Sequence, residues 1–206
     1  MIYDHERRER KNNGEIKHVA MPLNYVSYQQ QVDAYLLNRG LDHKLAKANG
    51  WYPTYTKESF RVVIPCINTA GFNYWQARTI EDHPIRYDSP AIPRKDSIVL
   101  LFPRGPRRHW ETLVVCEGPC DALAAAEFYP AVAIMGGTPS EEVTNHVQKI
   151  KNELGMSRLL IIPDKDNIEL VAYFPATHYD VSFLLPTTKD LAGMPRWERS
   201  KLLTSL

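Results

Sequence analysis

The chain has 206 residues, enough to bury a sizeable core as one large domain or two small ones. Its 25 Lys and Arg against 24 Asp and Glu leave a formal charge of +1, so no global field draws it onto nucleic acid, and any such binding must use a local patch. The three cysteines, Cys66, Cys116 and Cys120, lie in apolar contexts with no CxxC and no second ligand pair, which argues for reduced thiols in a cytoplasmic protein and against zinc. The N-terminus has no apolar signal region, and no run is long enough to span a membrane, so no membrane partner is expected.

Residues 1–25 are expected to form a charged arm, with Glu6, Arg7, Arg8, Glu9, Arg10 and Lys11 following no helical or strand period. A helix is predicted from Tyr28 to Asn38, ended by Gly40, and a second short one closed by Gly50. "RVVIPCINTAGFNYWQARTI" reads as a hairpin, with two β-rich runs flanking Asn68-Thr69-Ala70-Gly71. From Pro84 to Arg108 the chain is rich in proline and arginine and reads as loop, marking the border of a first unit over 26–110.

A second unit, 111–200, alternates strand and helix. "LVVC" is a buried strand that stops at Glu117, and Gly118-Pro119 turns it into a helix beginning near Asp121. "AVAIM" is the next short strand. "TPSEE" then opens a helix, with Thr138 as N-cap and Glu141 closing a capping box. Val143, Val147, Ile150 and Leu154 share its apolar face, and Gly155 ends it. "RLLII" stops at the carboxylates of "PDKDN", and "DVSFLL" is a fourth strand. That alternation implies a parallel α/β sheet with right-handed crossovers. Ligands of such sheets sit beyond the carboxyl ends of the strands, where Glu117, Asp164 and Asp166 fall.

Carboxylates crowded at strand ends raise one another's pKa values unless a cation lies among them. Oxygen donors without imidazole or thiolate suit Mg²⁺ or Mn²⁺, which usually shares its shell with phosphate oxygens. The pattern therefore points to metal-dependent phosphoryl or nucleotidyl transfer. The same residues also fit a plainer reading, with Asp121 complementing a helix dipole and Asp164 and Asp166 as loop carboxylates.

The order "CEGPCDALAAA", a strand and turn ending in "MGG", a helix, then "LLIIPDKDN" resembles the TOPRIM domain shared by DNA primases, topoisomerases and some nucleases. Glu117 matches the Glu after its first strand, Asp164 and Asp166 its later DxD, and Asp121 the Asp of the EGxxDAL form typical of primases. "RVVIPCINTAGFNYWQARTIEDHPIRYDSP" resembles the basic subdomain that precedes TOPRIM in bacterial and phage primases, with Arg61, Arg78, Arg86, Tyr87 and Pro90 at its pattern positions.

The resemblance, from Tyr35 to Ala192, implies a phage-type DNA primase catalytic core without zinc-binding or helicase domains. Its fold would be α/β, a TOPRIM-like parallel sheet flanked by helices and preceded by a smaller α+β basic subdomain. Its activity would be nucleotidyl transfer making short RNA primers from NTPs on single-stranded DNA during DNA replication, in the bacterial host cytoplasm if phage-encoded. Glu117, Asp164 and Asp166 would be catalytic. With Asp121 and Asp190 they would ligate Mg²⁺ or Mn²⁺, with no zinc. Arg61, Arg78, Arg86 and Lys165 would contact nucleotide or template, and a replicative helicase or zinc-bearing protein would be the partner.

This chain departs from the primase pattern after Asp166. Asn167-Ile168-Glu169-Leu170 stands where a small residue and Gly usually open a helix, the link to Asp190 is short, and Ala192 replaces an expected acid in "TTKDLAGM". A TOPRIM nuclease and a catalytically degenerate nucleic-acid-binding replication factor are the alternative readings.

Overall fold

The computed structural model describes residues 19–69, 74–105, 110–174 and 181–204. Most of the charged arm, the turn residues Ala70 and Gly71, and Arg107 and Arg108 lie outside the described residues.

Two helices begin the first unit, α1 (Gln29–Asn38) and α2 (His43–Ala48). Asp42 caps α2 by accepting from the backbone N–H groups of Lys44 and Leu45 at 2.8 and 3.0 Å. An antiparallel sheet follows in the order β1 (Tyr52–Thr56), β2 (Ser59–Cys66), β3 (Tyr74–Thr79) and β4 (Tyr87–Asp88). The expected hairpin is β2 and β3, pairing Cys66 with Tyr74 and Val62 with Arg78. Neither β1 nor β4 was expected. β1 begins Tyr-Pro, but its Pro53 lies on an edge strand, where a missing N–H costs no ladder bond.

The second sheet runs β5 (Val99–Leu101), β7 (Ala131–Ala133), β6 (Thr112–Cys116), β8 (Arg158–Ile162), β9 (Val181–Phe183). The last four are mutually parallel, as expected, and β5 is antiparallel to β7. β5 lies in the segment read as loop and assigned to 26–110, yet it belongs to the second sheet. A three-residue strand gives too little alternation to be seen beside so many prolines. The two sheets also touch directly, with Ile67 and Ile98 exchanging backbone hydrogen bonds at 2.8 and 2.9 Å.

Helix α3 (Pro119–Ala125) follows β6, and α4 (Glu141–Glu153) follows β7. The cap of α4 is Ser140 rather than Thr138. Ser140 is extended and its hydroxyl accepts from Val143 N–H, which makes Glu141 the first helical residue and leaves no capping box. Val143, Val147 and Ile150 are buried as expected, whereas Leu154, at the C-cap, is exposed. Among the described residues between β8 and β9 there is no α-helix. Ile168–Tyr173 form only a short 3-10 helix, consistent with the shortened link.

One face of the second sheet packs under α4 through Leu113, Val115, Val132, Leu159 and Ile161. The other face shares a core with the first unit, in which Leu36, Leu45, Trp51, Val62 and Ile64 pack with Val99, Val114 and Leu123. Every residue of β6 is buried, as a strand covered on both faces must be. A final helix, α5 (Arg196–Thr204), straps the units together. Its fully buried Arg199 donates to Gly40 O at 2.5 Å and to Glu127 at 3.3 Å, and Arg196 pairs with Glu127 at 2.6 Å.

Arg61 corrects the sequence reading. Expected to touch nucleotide or template, it is instead fully buried. Its Nε donates to Thr56 O at 3.0 Å, and its Nη1 reaches Ala77 O and Arg86 O at 3.4 Å. The guanidinium is spent on the backbone of three segments and leaves no face for a phosphate. Removing it would leave a void and take a donor from each of these carbonyls, of which Arg86 O keeps the Thr79 N–H at 3.0 Å. Arg61→Ala should therefore cost about 2–4 kcal/mol in a urea titration, measured as a fall in midpoint at unchanged slope.

Candidate active site between the two sheets

A cavity of about 490 Å³ opens where the C-terminal ends of β6 and β8 meet the first sheet. The second sheet and its following loops supply Glu117, Asp121, Asp164 and Asp190 to its lining, and the first unit supplies Arg39, Arg78, Arg86 and Tyr87. Of the nine residues singled out in the sequence, six meet here. The other three are Arg61, Asp166 and Lys165.

Glu117 ends β6, and Asp121 lies in the first turn of α3, with Pro119 presetting the helical φ at its start. Asp121 is 7% exposed and its Oδ1 accepts from Ala192 N–H at 2.8 Å. Gly118 makes this fit possible, because a Cβ there would stand 2.8 Å from Asp121 Oδ2. Burial, with Asp190 nearby, pushes the Asp121 carboxyl up to about 6. Asp164 follows β8 and is pushed up to about 7, first by burial and then by Asp121, Glu117, Asp190 and Asp166. These are the like-charge effects expected of acids gathered without a cation.

Asp166 projects past this group to the exposed rim, where Lys189 pairs with it at 3.0 Å and holds its pKa below the ordinary value. Lys165 turns away and donates to Thr187 O. Lys189, two residues from Thr187, lines the cavity in its place. Asp190 Oδ1 accepts from Gly193 N–H at 2.6 Å.

Arg78 is held on both sides. Tyr87, its partner across β3 and β4, accepts from Nη1 at 2.5 Å, and Tyr35 on α1 accepts from Nε at 2.6 Å. The Tyr87 ring also lies 5.2 Å from the guanidinium carbon. Arg86, beside it on the chain, is exposed. Two contributors escaped the sequence reading. Arg39 had a faint signal, since Tyr35 and Arg39 are spaced to share a helix face, and their side chains stack at 5.9 Å. Asn167 was noticed only as a departure from the primase pattern. Its Nδ2 donates to Glu117 Oε2 at 2.8 Å and to Gly137 O at 2.9 Å.

Among the described residues no three His, Cys, Asp or Glu side chains converge on a point where a metal ion would sit. The donor set is still that of a hard cation. Its members are carboxylates that repel one another, and magnesium is commonly held by one or two carboxylates with substrate oxygens completing the shell. The cavity therefore suits an ion that arrives with a phosphate better than one caged by protein alone.

No protein-family model matches the chain, and no curated protein matches it by sequence. Solved structures do match in fold. The primase fragment of the bacteriophage T7 primase-helicase protein superimposes with a TM-score of 0.62 at 15% identity, over 82% of this chain and 72% of that one. The RNA polymerase domain of Mycobacterium tuberculosis primase DnaG, in complex with double-stranded DNA, gives 0.58 at 16% identity, over 86% and 76%. A chain from the bacteriophage T7 lagging-strand DNA polymerase assembly with primase domains bound to an RNA/DNA hybrid and dTTP gives 0.57 at 14% identity, over 82% and 88%. This chain has the fold of a primase catalytic core: an antiparallel N-terminal sheet joined to a mostly parallel five-stranded sheet with helices. Among the described residues no helix is long and apolar enough to cross a membrane.

The raised carboxyls set a pH dependence. Asp121 and Asp164 hold protons more tightly folded than unfolded, so their contribution to stability is greatest below the ordinary carboxylate range and is lost as pH rises through about 6 and about 7. Without divalent cations, the unfolding free energy should fall between about pH 4 and about pH 7. Asp164→Asn should flatten that slope and be the more stable protein at pH 8 by about 1–2 kcal/mol. Denaturant titrations at a series of pH values measure both.

Proposed function

We propose that this chain is the catalytic core of a DNA primase, extending RNA primers from NTPs on single-stranded DNA by metal-dependent nucleotidyl transfer. The observation that carries the reading is the meeting, in one cavity of a primase-type fold, of strand-end carboxylates with a braced arginine. Structures of similar fold support it, in which primase domains are in complex with double-stranded DNA or bound to an RNA/DNA hybrid and dTTP.

The chemistry is an in-line displacement. The primer 3′-oxygen bonds to the α-phosphorus of the incoming NTP, the bond to the β-phosphate oxygen breaks, pyrophosphate departs, and the hydroxyl proton passes to solvent. Arg78 holds a phosphate in a fixed position, because its two phenol partners leave the guanidinium little freedom to lose on binding. Arg86, more exposed, tracks the nucleotide or template backbone, and Arg39 adds a third positive charge from α1. Glu117, Asp121 and Asp164, with Asp190 beside them and Asp166 at the rim, would hold Mg²⁺ or Mn²⁺. That ion would supply charge neutralisation and a more acidic primer hydroxyl. Phosphate contacts of this kind carry affinity without sequence, so a helicase or zinc-bearing partner would supply template selection.

Asp164→Ala should abolish NTP incorporation on a single-stranded template with Mg²⁺ or Mn²⁺, at unchanged circular dichroism, and Asp166→Ala should have the smaller effect because its carboxylate is already matched by Lys189. Wild-type primer yield from Asp164→Ala would refute the assignment of the acids. Retained DNA binding with no incorporation by the wild type would favour the non-catalytic replication factor, and cleavage of labelled DNA the nuclease.

Arg78→Ala and Arg86→Ala should each weaken single-stranded DNA or NTP binding and lower the slope of log affinity against log salt by about one phosphate contact. Fluorescence anisotropy at several salt concentrations reads both quantities, and an unchanged slope would make these residues structural.

A further inference from the structure

We propose that Asn167 is a positioning residue for Glu117, seated in a notch that the absence of a side chain at Gly137 leaves open. The proposal rests on the reading of Glu117 as a ligand for the divalent cation. Asn167 stands at the N-cap of the short 3-10 helix Ile168–Tyr173, yet its side chain makes no capping bond there. An asparagine in that place ordinarily satisfies its own helix. Here the amide reaches the end of a neighbouring strand, with Nδ2 2.8 Å from Glu117 Oε2 and 2.9 Å from Gly137 O. Both acceptors are oxygens, so only the NH₂ edge fits, and the opposite orientation would set three oxygens against one another.

The seat is specific. A Cβ at Gly137 would lie 2.4 Å from Asn167 Nδ2 and 3.2 Å from its Cγ, an overlap that would expel the amide. The backbone of Asn167 is tied as well, donating to Asp164 O at 2.9 Å. A single residue thus links the ends of β6 and β8 and the turn after β7. The amide is neutral, so it aims Glu117 without cancelling its charge, in contrast to Lys189, which neutralises Asp166. It engages Oε2 and leaves Oε1 for a ligand. Partners one bond removed from a metal ligand commonly change metal affinity ten- to a hundredfold.

The test titrates the intact chain with Mn²⁺ by isothermal calorimetry and follows thermal unfolding of the same samples without metal. The wild type should bind. Asn167→Ala and Gly137→Ala should each weaken Mn²⁺ binding about tenfold. The double variant should be little worse than Asn167→Ala, because the severe overlap at Gly137 is with the amide, the other close atom being Glu117 Oε1 at 3.3 Å. In a Glu117→Gln background, Asn167→Ala should cost nothing further. Additive losses, or weakening that persists with Glu117→Gln, would show that Asn167 does not act through Glu117 and would overturn the proposal. So would an unchanged Mn²⁺ affinity with a lowered unfolding temperature, the result expected of a loop staple. If Gly137→Ala does not fold, the Asn167→Ala and Glu117→Gln cycle decides alone. A wild type that takes up Mn²⁺ neither alone nor with an NTP present overturns both the metal reading and this one, whereas binding that ignores Asn167 overturns only the latter.

Discussion

Asp121 and Asp164 lie at the ends of buried elements, where burial with Asp190 nearby pushes the first up to about 6, and burial followed by repulsion from Asp121, Glu117, Asp190 and Asp166 pushes the second up to about 7. Such an arrangement weakens the folded state at neutral pH, and the molecule tolerates it by giving most of the acids a donor. Glu117 has Asn167, Asp121 the Ala192 amide, Asp166 Lys189, and Asp190 the Gly193 amide. No three of them converge among the described residues. The electrostatic tension is thereby spread over several elements instead of being concentrated at one cage. Phosphate and cation together would relieve it more fully than either alone.

That tension is useful only if the arginines of the first unit are held at the acids. Two features keep them there. The shared core puts Leu36, Val62 and Ile64 against Val114 and Leu123, so the antiparallel sheet cannot swing away without exposing apolar surface. Arg199 then ties α5 to Gly40 in the first unit and to Glu127 beyond α3, with Arg196 on the same carboxylate. A buried arginine with its carboxylate in place resists removal of either partner, since the survivor would be an uncompensated charge. The bridge between Ile67 and Ile98 adds a backbone seam between the sheets. Together these make the cavity a property of both units.

The stretch after Asp166 departs from the primase pattern and makes a contact of its own. Asn167, after the second aspartate, only precedes a short 3-10 helix, and its side chain is not used to cap it. The amide reaches Glu117 instead. The glycine that receives it, Gly137, lies in the turn after β7, and its carbonyl accepts from the same amide.

The sequence by itself determined the central architecture and the acids. Buried strands such as "LVVC" and "RLLII" are apolar runs broken by carboxylates, a local signal that needs no partner to be seen, and it placed Glu117 and Asp164 at strand ends and Asp121 in the first turn of a helix. Helix α4 was legible from its period, though its cap was misplaced by two residues because Thr138 and Ser140 are both competent caps and only the path of Pro139 chooses between them. The edge strands β1, β4 and β5 were not legible, because β1 carries Pro53, β4 is two residues long, β5 lies in a proline-rich stretch, and their assignment depends on which sheet they find. Side-chain roles were decided by tertiary structure alone. Arg61 and Arg78 sit one pair apart across β2 and β3 with the same chemistry, yet their side chains leave opposite faces of the sheet, one into backbone carbonyls and the other toward the cavity. Which face is the interior depends on what packs against it, and that information lies in contacts distant along the chain.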